Sequence, residues 1–294
     1  MYHFIYALFY LLSLLPWCIM YLIGDGIYVL VYYVIGYRKK VVMYNLMVAF
    51  PEKTEQQRIR IAKEFYHNFI DTFIETIKLL SISKKAFDKR CIVNAEVLNE
   101  VYATGQNVQI HTGHFFNWEF GNLGISKNLN GRFIGVYMPL TNKNFNQLIV
   151  KLRTKFNTIL ISVPEFRNSF HNYNKSQYAL GLVADQNPGN PMNAVWMPFF
   201  GKMAPFYNGP EKGAKRMNTA VVMMNYYKIK RGHYKIDFSL LTTTPNDMPN
   251  GMITKKLIEF IEARVKERPA NYLWSHRRWK WAFDETKYGH LVVE

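Results

Sequence analysis

The apolar N-terminus constrains the fold more than any other feature of the chain. Residues 1–24 contain no Asp, Glu, Lys or Arg, and after Asp25 the apolar run continues to Tyr37. A run of this length is sufficient to cross a bilayer as a helix. Pro16 and the Gly24-Asp-Gly26 break favour a kinked span, a re-entrant hairpin or two interfacial helices over one straight helix. The alternative is a buried hairpin in the core of a soluble protein.

A basic cluster, Arg38-Lys39-Lys40, follows the apolar run directly. Basic residues beside a membrane segment favour the cytoplasmic side for the chain that follows. No basic segment precedes the run and no small-residue cleavage site lies before the cluster, so we do not expect a cleaved signal peptide. Residues 1–37 are therefore predicted to form a membrane anchor, spanning or re-entrant, with the remainder of the chain on the cytoplasmic side.

A long amphipathic helix is predicted after the anchor. Thr54-Glu-Gln-Gln57 has the spacing of a capping box, and apolar residues then recur every four positions at Ile61, Phe65, Phe69 and Phe73. We expect the helix to reach Leu80 or its neighbours, and Phe50-Pro-Glu-Lys53 to form the turn that leads into it. Residues 38–105 are interpreted as a helical connector that packs against the rest of the chain.

Short β-rich runs alternate with helical stretches from residue 106 onward. The expected strands are 108–111, 133–137, 159–163, 179–184, 220–227 and 234–240, and the expected helices lie near 119–127, 143–156, 209–217 and 254–267. Such alternation indicates an α/β fold with a mostly parallel central sheet flanked by helices. Residues 106–294 are therefore predicted to form an α/β domain.

Charge and cysteine content narrow the possible partners and sites. The chain has a formal net charge of +16 and a sequence pI near 9.6. It should attract anionic partners such as phospholipid headgroups, phosphorylated lipids, an acidic carrier protein or nucleic acid. We find no recognised nucleic-acid motif, so nucleic acid is not an expected partner. With only two cysteines, a disulfide scaffold or a cysteine zinc site is not expected either.

His114 and Glu119 are the strongest candidates for catalytic residues. They lie in the run His111-Thr-Gly-His-Phe-Phe-Asn-Trp-Glu119, after a short predicted strand. One continuous helix would point the two side chains apart, so the pair needs a bend. Asn117, also a candidate for substrate binding, is a favoured residue at the helix start that would follow it. A neutral imidazole held by a carboxylate can deprotonate a hydroxyl as it attacks a carbonyl carbon. Acyl transfer to an alcohol is therefore expected, the alternative being a polar pair without a catalytic role.

Other polar residues are candidates for substrate binding. Asp185 and Gln186 follow an apolar strand, and ligands of open α/β sheets bind at the carboxyl ends of strands, although capping of nearby amides is an alternative. Arg153, late in a predicted helix, would hold a phosphate or face solvent. Gly209 opens a helix whose N-terminus would stabilise an anion or be simply a helix start. Arg277 suits phosphate, or belongs to a solvated tail that binds anionic lipid.

The sequence is also compatible with two other functional classes. His111, His114 and Glu119 would supply three ligands to a metal ion, as in a membrane-tethered metal-dependent hydrolase. On a strand-to-turn path the two imidazoles need not converge, so we expect no metal. The other class is a basic, non-enzymatic membrane-bound module, against which the dense apolar pattern around the histidine block argues.

The block Gly113–Glu119 closely resembles the catalytic block of the lipid A late acyltransferases, the lauroyl and myristoyl transferases of the lysophospholipid acyltransferase superfamily. Further blocks agree with this family in order: Arg38-Lys-Lys-Val-Val-Met-Tyr-Asn-Leu46, Phe50-Pro-Glu-Lys53, Ala184-Asp-Gln186 with Pro188, Pro198-Phe-Phe-Gly201, Gly209-Pro-Glu-Lys212 and Tyr272-Leu-Trp-Ser-His-Arg-Arg-Trp-Lys280. The resemblance spans nearly the whole chain.

The resemblance implies an O-acyltransferase in which His114 deprotonates an acceptor hydroxyl and Glu119 orients the ring. The donor would be an acyl carrier protein thioester, with acyl-CoA as the alternative. The acceptor would be a lipid A precursor, with an aminolipid or a lysophospholipid as the alternative within the superfamily. No cofactor is expected beyond the acyl thioester. The implied location is the bacterial inner membrane, with the catalytic domain on its cytoplasmic side.

Overall fold

The computed structural model describes residues 1–293. Its first helices, α1 (Tyr2–Leu14) and α2 (Trp17–Val29), are separated at Pro16, as the sequence predicts. α2 continues through the Gly24-Asp-Gly26 segment without a break and runs on as a π-helical segment over Leu30–Ile35.

The predicted connector helix is present. α3 (Lys39–Ala49) precedes α4 (Glu55–Leu79), and the Thr54–Gln57 capping box forms with both of its hydrogen bonds. Residues 51–53 form the turn between these helices. α4 turns its apolar face, including Phe65 and Ile70, into the core.

The N-terminal helices expose much of their apolar surface. The segment Trp17–Ile35 is long and apolar enough to cross a membrane, by length and composition. α1 and α2 both pack against α4, whereas large apolar side chains on their outer faces are exposed at Phe4, Leu8, Leu11, Leu22 and Ile27, as is Val34 on the π-helical continuation of α2. The two helices therefore cover the protein from outside and do not form a buried core hairpin.

The remaining elements alternate as expected. The strands are β1 (Cys91–Asn94), β2 (Val108–Thr112), β3 (Phe133–Tyr137), β4 (Ile159–Ser162), β5 (Ala179–Val183), β6 (Val195–Phe199), β7 (Lys202–Phe206), β8 (Ala220–Lys230) and β9 (His233–Thr242). The helices are α5 (Lys84–Asp88), α6 (Glu96–Ala103), α7 (Trp118–Asn128), α8 (Lys143–Arg153), α9 (Val163–Ser169), α10 (Gly209–Met217), α11 (Met252–Glu267) and α12 (Glu285–Tyr288).

Within the described residues 1–293, seven strands form one sheet in the order β1-β9-β8-β2-β5-β3-β4. The five strands from β8 to β4 are mutually parallel, whereas β9 runs antiparallel to β8 and β1 runs parallel to β9. The predicted α/β class with a mostly parallel sheet flanked by helices is confirmed. β6 and β7 form a separate antiparallel pair.

One strand of the sheet lies inside the predicted connector. Cys91–Asn94 forms β1 at the sheet edge, paired with β9 over Tyr234–Asp237. Four residues give too short a run for a period-two pattern to be recognised, which is why the sequence did not reveal this strand. The main hydrophobic core is also shared, since it includes Met20, Tyr66 and Val222. The anchor, connector and sheet therefore pack around common apolar side chains.

Candidate active site

Two neighbouring parallel strands bring the central residues together. β2 and β5 pair with Thr112 opposite Val183, so both strands end at the same edge of the sheet. His114 follows β2 and Asp185 follows β5 by the same two-residue step. Because these chain segments leave adjacent strands in the same direction, His114 and Asp185 meet although 71 positions separate them.

Asp185 holds His114 at two points. Its Oδ1 lies 2.5 Å from His114 Nδ1, and its Oδ2 accepts the backbone N–H of His114 at 3.1 Å. The bond to the carboxylate assigns the proton of the neutral ring to Nδ1, which leaves Nε2 as the basic nitrogen. The His114 side chain is 26% exposed, whereas that of Asp185 is fully buried. A basic nitrogen is thus fixed on a ring that solvent or a substrate can reach.

The Asp185 carboxyl group remains charged near neutral pH. Burial alone would raise its pKa, but the charge and hydrogen bonds of His114 and the nearby Tyr272 hydroxyl outweigh burial and lower the pKa to about 2. A buried carboxylate attracts a positive charge that develops close to it. Asp185 can therefore stabilise the positive charge that His114 acquires on taking a proton.

Glu119 does not orient His114, contrary to the expectation from the sequence. Its carboxylate accepts three contacts from Arg153, from Nε at 3.1 and 2.9 Å and from Nη2 at 2.6 Å, and one from Trp118 Nε1 at 3.0 Å. The physical reason is the position of Glu119 in the first turn of α7, where its side chain meets the end of α8. The carboxylate partner of His114 is Asp185, which the sequence presented only as a substrate-binding candidate.

Asn117 caps the helix that carries Glu119, as its residue type predicts. Its Oδ1 accepts the backbone N–H of Glu119 at 3.1 Å. Its Nδ2 donates to the buried Glu75 carboxyl at 3.3 Å. Both Asn117 and Glu119 are buried, so this end of α7 is packed into the protein beside residues 113–117, the histidine loop that joins β2 to α7.

The C-terminal segment 271–276 braces the histidine loop by backbone hydrogen bonds. Leu273 N–H donates to His114 O at 3.0 Å, and Phe116 N–H donates to Asn271 O at 2.9 Å. On the other side of this segment, Asn45 Nδ2 donates to the carbonyls of Trp274 and His276, each at 2.7 Å. α3 and the histidine loop are therefore connected through the same short stretch of chain.

Of the two adjacent arginines in the C-terminal basic run, the one that the fold buries is Arg278. Arg277, the residue favoured from the sequence, has an exposed side chain. Arg278 is buried, donates to Asn187 Oδ1 at 2.6 Å and to Pro205 O at 2.8 Å, and stacks over the ring of Phe206. Both arginines lie in one basic run, and the sequence offers no signal that decides which of them turns inward.

Asn187 and His276 also belong to this region, although the sequence did not single them out. The Asn187 N–H donates to His276 Nε2 at 3.1 Å, and its Nδ2 donates to Arg277 O at 2.5 Å. Burial, together with the charge of Arg278, lowers the pKa of His276 to about 4, so its ring is neutral and accepts this bond. The loop after β5 is thereby fastened to the C-terminal segment. Gln186, within that loop, is half-buried.

Gly209 and His111 lie in different surroundings from His114. Gly209 is exposed and opens α10, which packs against β2. His111 is buried within β2, and its Nε2 bonds the Gln109 side-chain amide at 2.8 Å. Burial lowers the pKa of His111 to about 4. Within residues 1–293 no group of three His, Cys, Asp or Glu side chains is arranged to hold a metal, so His111, His114 and Glu119 do not form a ligand set.

A cavity of about 740 Å³ lies away from the histidine loop, between α4, the β8–β9 turn and residues 267–271. Its charged residues are largely compensated, since Asp71 pairs with Lys228 at 3.1 Å and with Arg231 at 2.7 Å. The residues that line the cavity include neither His114 nor Asp185, so it is separate from the predicted site.

The fold and site describe an α/β protein with a carboxylate-oriented histidine at the carboxyl ends of two parallel strands. Residues 1–281 match the family model for bacterial lipid A biosynthesis acyltransferases. The chain therefore belongs to this family, which confirms the resemblance and makes the protein an enzyme that transfers acyl groups. Among curated proteins it is similar to a lipid A biosynthesis acyltransferase of Haemophilus influenzae, with 23% identity over 233 residues that cover 78% of this chain and 72% of the relative.

Proposed function

We propose that this enzyme transfers a fatty acyl chain from an acyl carrier protein or CoA thioester to a hydroxyl group of a lipid A precursor, with His114 as the general base. The observation that carries the proposal is the contact between His114 Nδ1 and the buried Asp185, which leaves Nε2 basic on a partly exposed ring. Such a nitrogen suits proton abstraction from an alcohol near neutral pH.

The proposed reaction proceeds by direct transfer. Nε2 of His114 takes the hydroxyl proton as the acceptor oxygen attacks the thioester carbonyl, and Asp185 stabilises the imidazolium. The tetrahedral intermediate then collapses, the carbon–sulfur bond breaks, and the imidazolium returns the proton to the leaving thiolate. The products are an ester and a free thiol, and no acyl-enzyme is required.

Glu119 and Arg153 have a supporting role in this proposal. The Glu119 carboxylate fixes the guanidinium through Nε and Nη2, and the Arg153 side chain is 20% exposed. A guanidinium held in this way presents its outer edge to a phosphate without losing much side-chain freedom on binding. We therefore propose that Arg153 binds an anionic group of a substrate and that Glu119 positions it. Asn117, Gln186, Gly209 and Arg277 remain candidates for substrate contacts.

The donor and the location follow from charge and exposed apolar surface. The net charge of +16 complements an acidic carrier protein, although CoA phosphates would also be attracted.

The exposed outer faces of α1 and α2 would be buried in lipid. We propose that the protein is held on the bacterial inner membrane by these helices, with the sheet on the cytoplasmic side, where the basic residues after α2 favour it.

The test is an acyltransfer assay on the full chain in detergent. Acyl carrier protein and CoA thioesters are each offered with a lipid A precursor, an aminolipid or a lysophospholipid, and the acylated lipid is identified by mass spectrometry. We expect the lipid A precursor to be acylated. Preferential acylation of either other lipid would replace the proposed acceptor by the superfamily alternative.

The base is tested in the same assay. His114→Ala should lower kcat by about a hundredfold to ten-thousandfold, the usual contribution of a general base. His171→Ala, at an exposed histidine elsewhere, serves as the matched control and should retain activity. A His114→Ala enzyme with the turnover of the wild type would remove His114 from the mechanism.

A further inference from the structure

A buried carboxyl group outside the proposed catalytic residues contacts the active-site loop, by which we mean the histidine loop together with the first residues of α7, residues 113–119. Glu75, on α4, is fully buried. Its Oε2 accepts from Tyr234 Oη at 2.7 Å and from Asn117 Nδ2 at 3.3 Å, and its Oε1 accepts from Tyr21 Oη at 3.1 Å. These partners are uncharged, and burial raises the pKa of Glu75 to about 7. Burying such a carboxyl group is unfavourable in free energy. We therefore infer that Glu75 serves to hold its hydrogen-bond partners in place.

Glu75 fixes which way the Asn117 amide faces. An amide has one accepting end and one donating end. Because Glu75 Oε2 accepts from Nδ2, the amide must present Oδ1 to the other side, where it accepts the Glu119 N–H. The reverse orientation would put oxygen against oxygen at the ionised Glu75 carboxylate and two donors against each other at Glu119. Glu75 thereby sets the N-terminal cap of the helix whose first turn carries the Glu119–Arg153 pair.

The third partner of Glu75 belongs to the apolar N-terminal helix. Tyr21 lies in the Trp17–Ile35 segment, which is long and apolar enough to cross a membrane. α2 approaches α4 closely there, since a Cβ added to Gly24 would lie 3.3 Å from Ile74 Cγ1. Asp25, one residue further on, pairs with Arg231, which also pairs with Asp71 on α4. The Tyr21 hydroxyl therefore reaches Glu75 only while α2 is docked on α4.

We propose that Glu75 is a positioning residue that couples docking of α2 on α4 to the conformation of the active-site loop, through the hydrogen bonds Tyr21–Glu75–Asn117–Glu119. When α2 separates from α4, Glu75 loses the Tyr21 donor and becomes open to water. The carboxyl group is then free to turn away from Asn117, whose amide loses its fixed orientation. The Glu119 N–H loses its cap, and the ion pair with Arg153 is no longer held in one place. Acyl transfer is thus supported by the docked anchor helix.

Hydrogen exchange tests this coupling without reference to the reaction. The full chain in detergent is compared with Tyr21→Phe, which removes only the hydroxyl. Exchange of the Glu119 amide should accelerate by about fivefold, the effect of losing one neutral hydrogen bond, while the β2 amides keep their wild-type rates. Tyr28→Phe is the matched control, because Tyr28 is buried on the same helix but stacks on His67 instead of reaching Glu75. It should leave the Glu119 amide unchanged.

Two Glu75 variants distinguish positioning from bulk packing. Glu75→Gln keeps an oxygen that can accept from Asn117, so the Glu119 amide should exchange at nearly the wild-type rate. Glu75→Leu fills the space without an acceptor and should accelerate exchange at least as much as Tyr21→Phe. Should Glu75→Leu fail to fold, Tyr21→Phe still decides the matter. Wild-type exchange in Tyr21→Phe, or equal acceleration in Tyr28→Phe, would overturn the proposal.

The kinetic consequence rests on the proposed function. In the acyltransfer assay, Tyr21→Phe should lower kcat several-fold, by about the same factor as the exchange effect, and leave KM for the thioester unchanged. An unchanged kcat alongside accelerated exchange would show that the contacts do not support turnover. A wild-type protein without acyltransferase activity would count against the proposed function alone, because the exchange experiment would still test the coupling between α2 and the loop.

Discussion

At the scale of single residues, the proposed mechanism depends on which carboxylate contacts His114. His114 stands out because it follows a short strand within a recognisable block. Glu119 appeared to be its partner because it is close in sequence, whereas Asp185 is 71 positions away. Only the order of strands places β5 beside β2, and a linear pattern of apolar residues does not encode that order. The choice between two carboxylates was therefore settled by topology.

The variant Asp185→Asn tests the assignment of Asp185 as the carboxylate partner of His114. Asp185→Asn preserves the shape but replaces one carboxylate oxygen by a donor, which favours the wrong imidazole tautomer and removes the charge that stabilises the imidazolium. We expect kcat to fall by about a hundredfold to ten-thousandfold, as for loss of the orienting carboxylate in other histidine-based enzymes. Steady-state kinetics measure kcat for Asp185→Asn, and the Glu119→Gln variant is measured in parallel for comparison. A normal kcat for Asp185→Asn would exclude Asp185 as the partner of His114.

The free energy of unfolding should depend on pH because the buried Glu75 carboxyl group titrates. Its pKa rises from 4.5 to about 7 on folding, so the folded state favours the protonated acid. This contribution is complete below pH 4.5 and is lost as the pH rises through about 7. At 1.36 kcal/mol per pKa unit the loss is at most about 3 kcal/mol. Glu75→Gln lacks this titration, so its stability relative to the wild type should increase between pH 5 and pH 8. Urea unfolding at both values measures this, and equal differences would contradict it.

At the scale of elements, the long helices and central strands were predictable because local signals agree. α4 has both a capping box and a period-four apolar face, and each parallel strand is a distinct apolar run. The short strand β1 lacks such a signal. Nor does any local pattern show that the segment 271–276, between α11 and α12, is held by α3 on one side and the histidine loop on the other. That arrangement depends on long-range hydrogen bonds from side chains and backbone.

Asn45 is the element-scale residue that holds this segment from α3. Its Nδ2 makes two hydrogen bonds, to Trp274 O and His276 O, and the residue is buried. Asn45→Ala should cost about 2–3 kcal/mol in free energy of unfolding, because two hydrogen bonds are lost and the buried Trp274 carbonyl is left without a partner, whereas His276 O keeps the Arg278 N–H. Hydrogen exchange should also accelerate in segment 271–276. Lys40→Ala, at an exposed site on the same helix, is the control. Unchanged exchange in Asn45→Ala would show that α3 does not stabilise the segment.

At the scale of the whole molecule, the apolar surface is unevenly distributed. α2 turns Tyr21, Gly24 and Asp25 towards α4 together with the buried apolar side chains Met20 and Tyr28, and both N-terminal helices leave large apolar side chains outside. An ordinary amphipathic surface helix keeps its apolar residues on the face that packs against the protein, whereas α1 and α2 carry them on the outer face as well. A lipid phase would remove the exposed surface from water while the polar contacts keep the helices attached to the catalytic sheet. Binding to the membrane and fixing of the active-site loop would then involve opposite faces of the same helix.

Charges placed on the outer face should separate membrane binding from folding. Leu22 and Val34 are 72% and 73% exposed, so the double variant Leu22→Glu/Val34→Glu should fold normally. Each loses the benefit of burying an apolar side chain, about 1.5–3 kcal/mol, so the affinity for vesicles should fall by at least a hundredfold. Flotation with anionic phospholipid vesicles measures the bound fraction. Ile229→Glu is the control, because Ile229 is exposed on the β8–β9 hairpin, outside α1 and α2. If the double variant floated like the wild type while remaining folded, the outer face of α2 would not be the surface that meets the membrane.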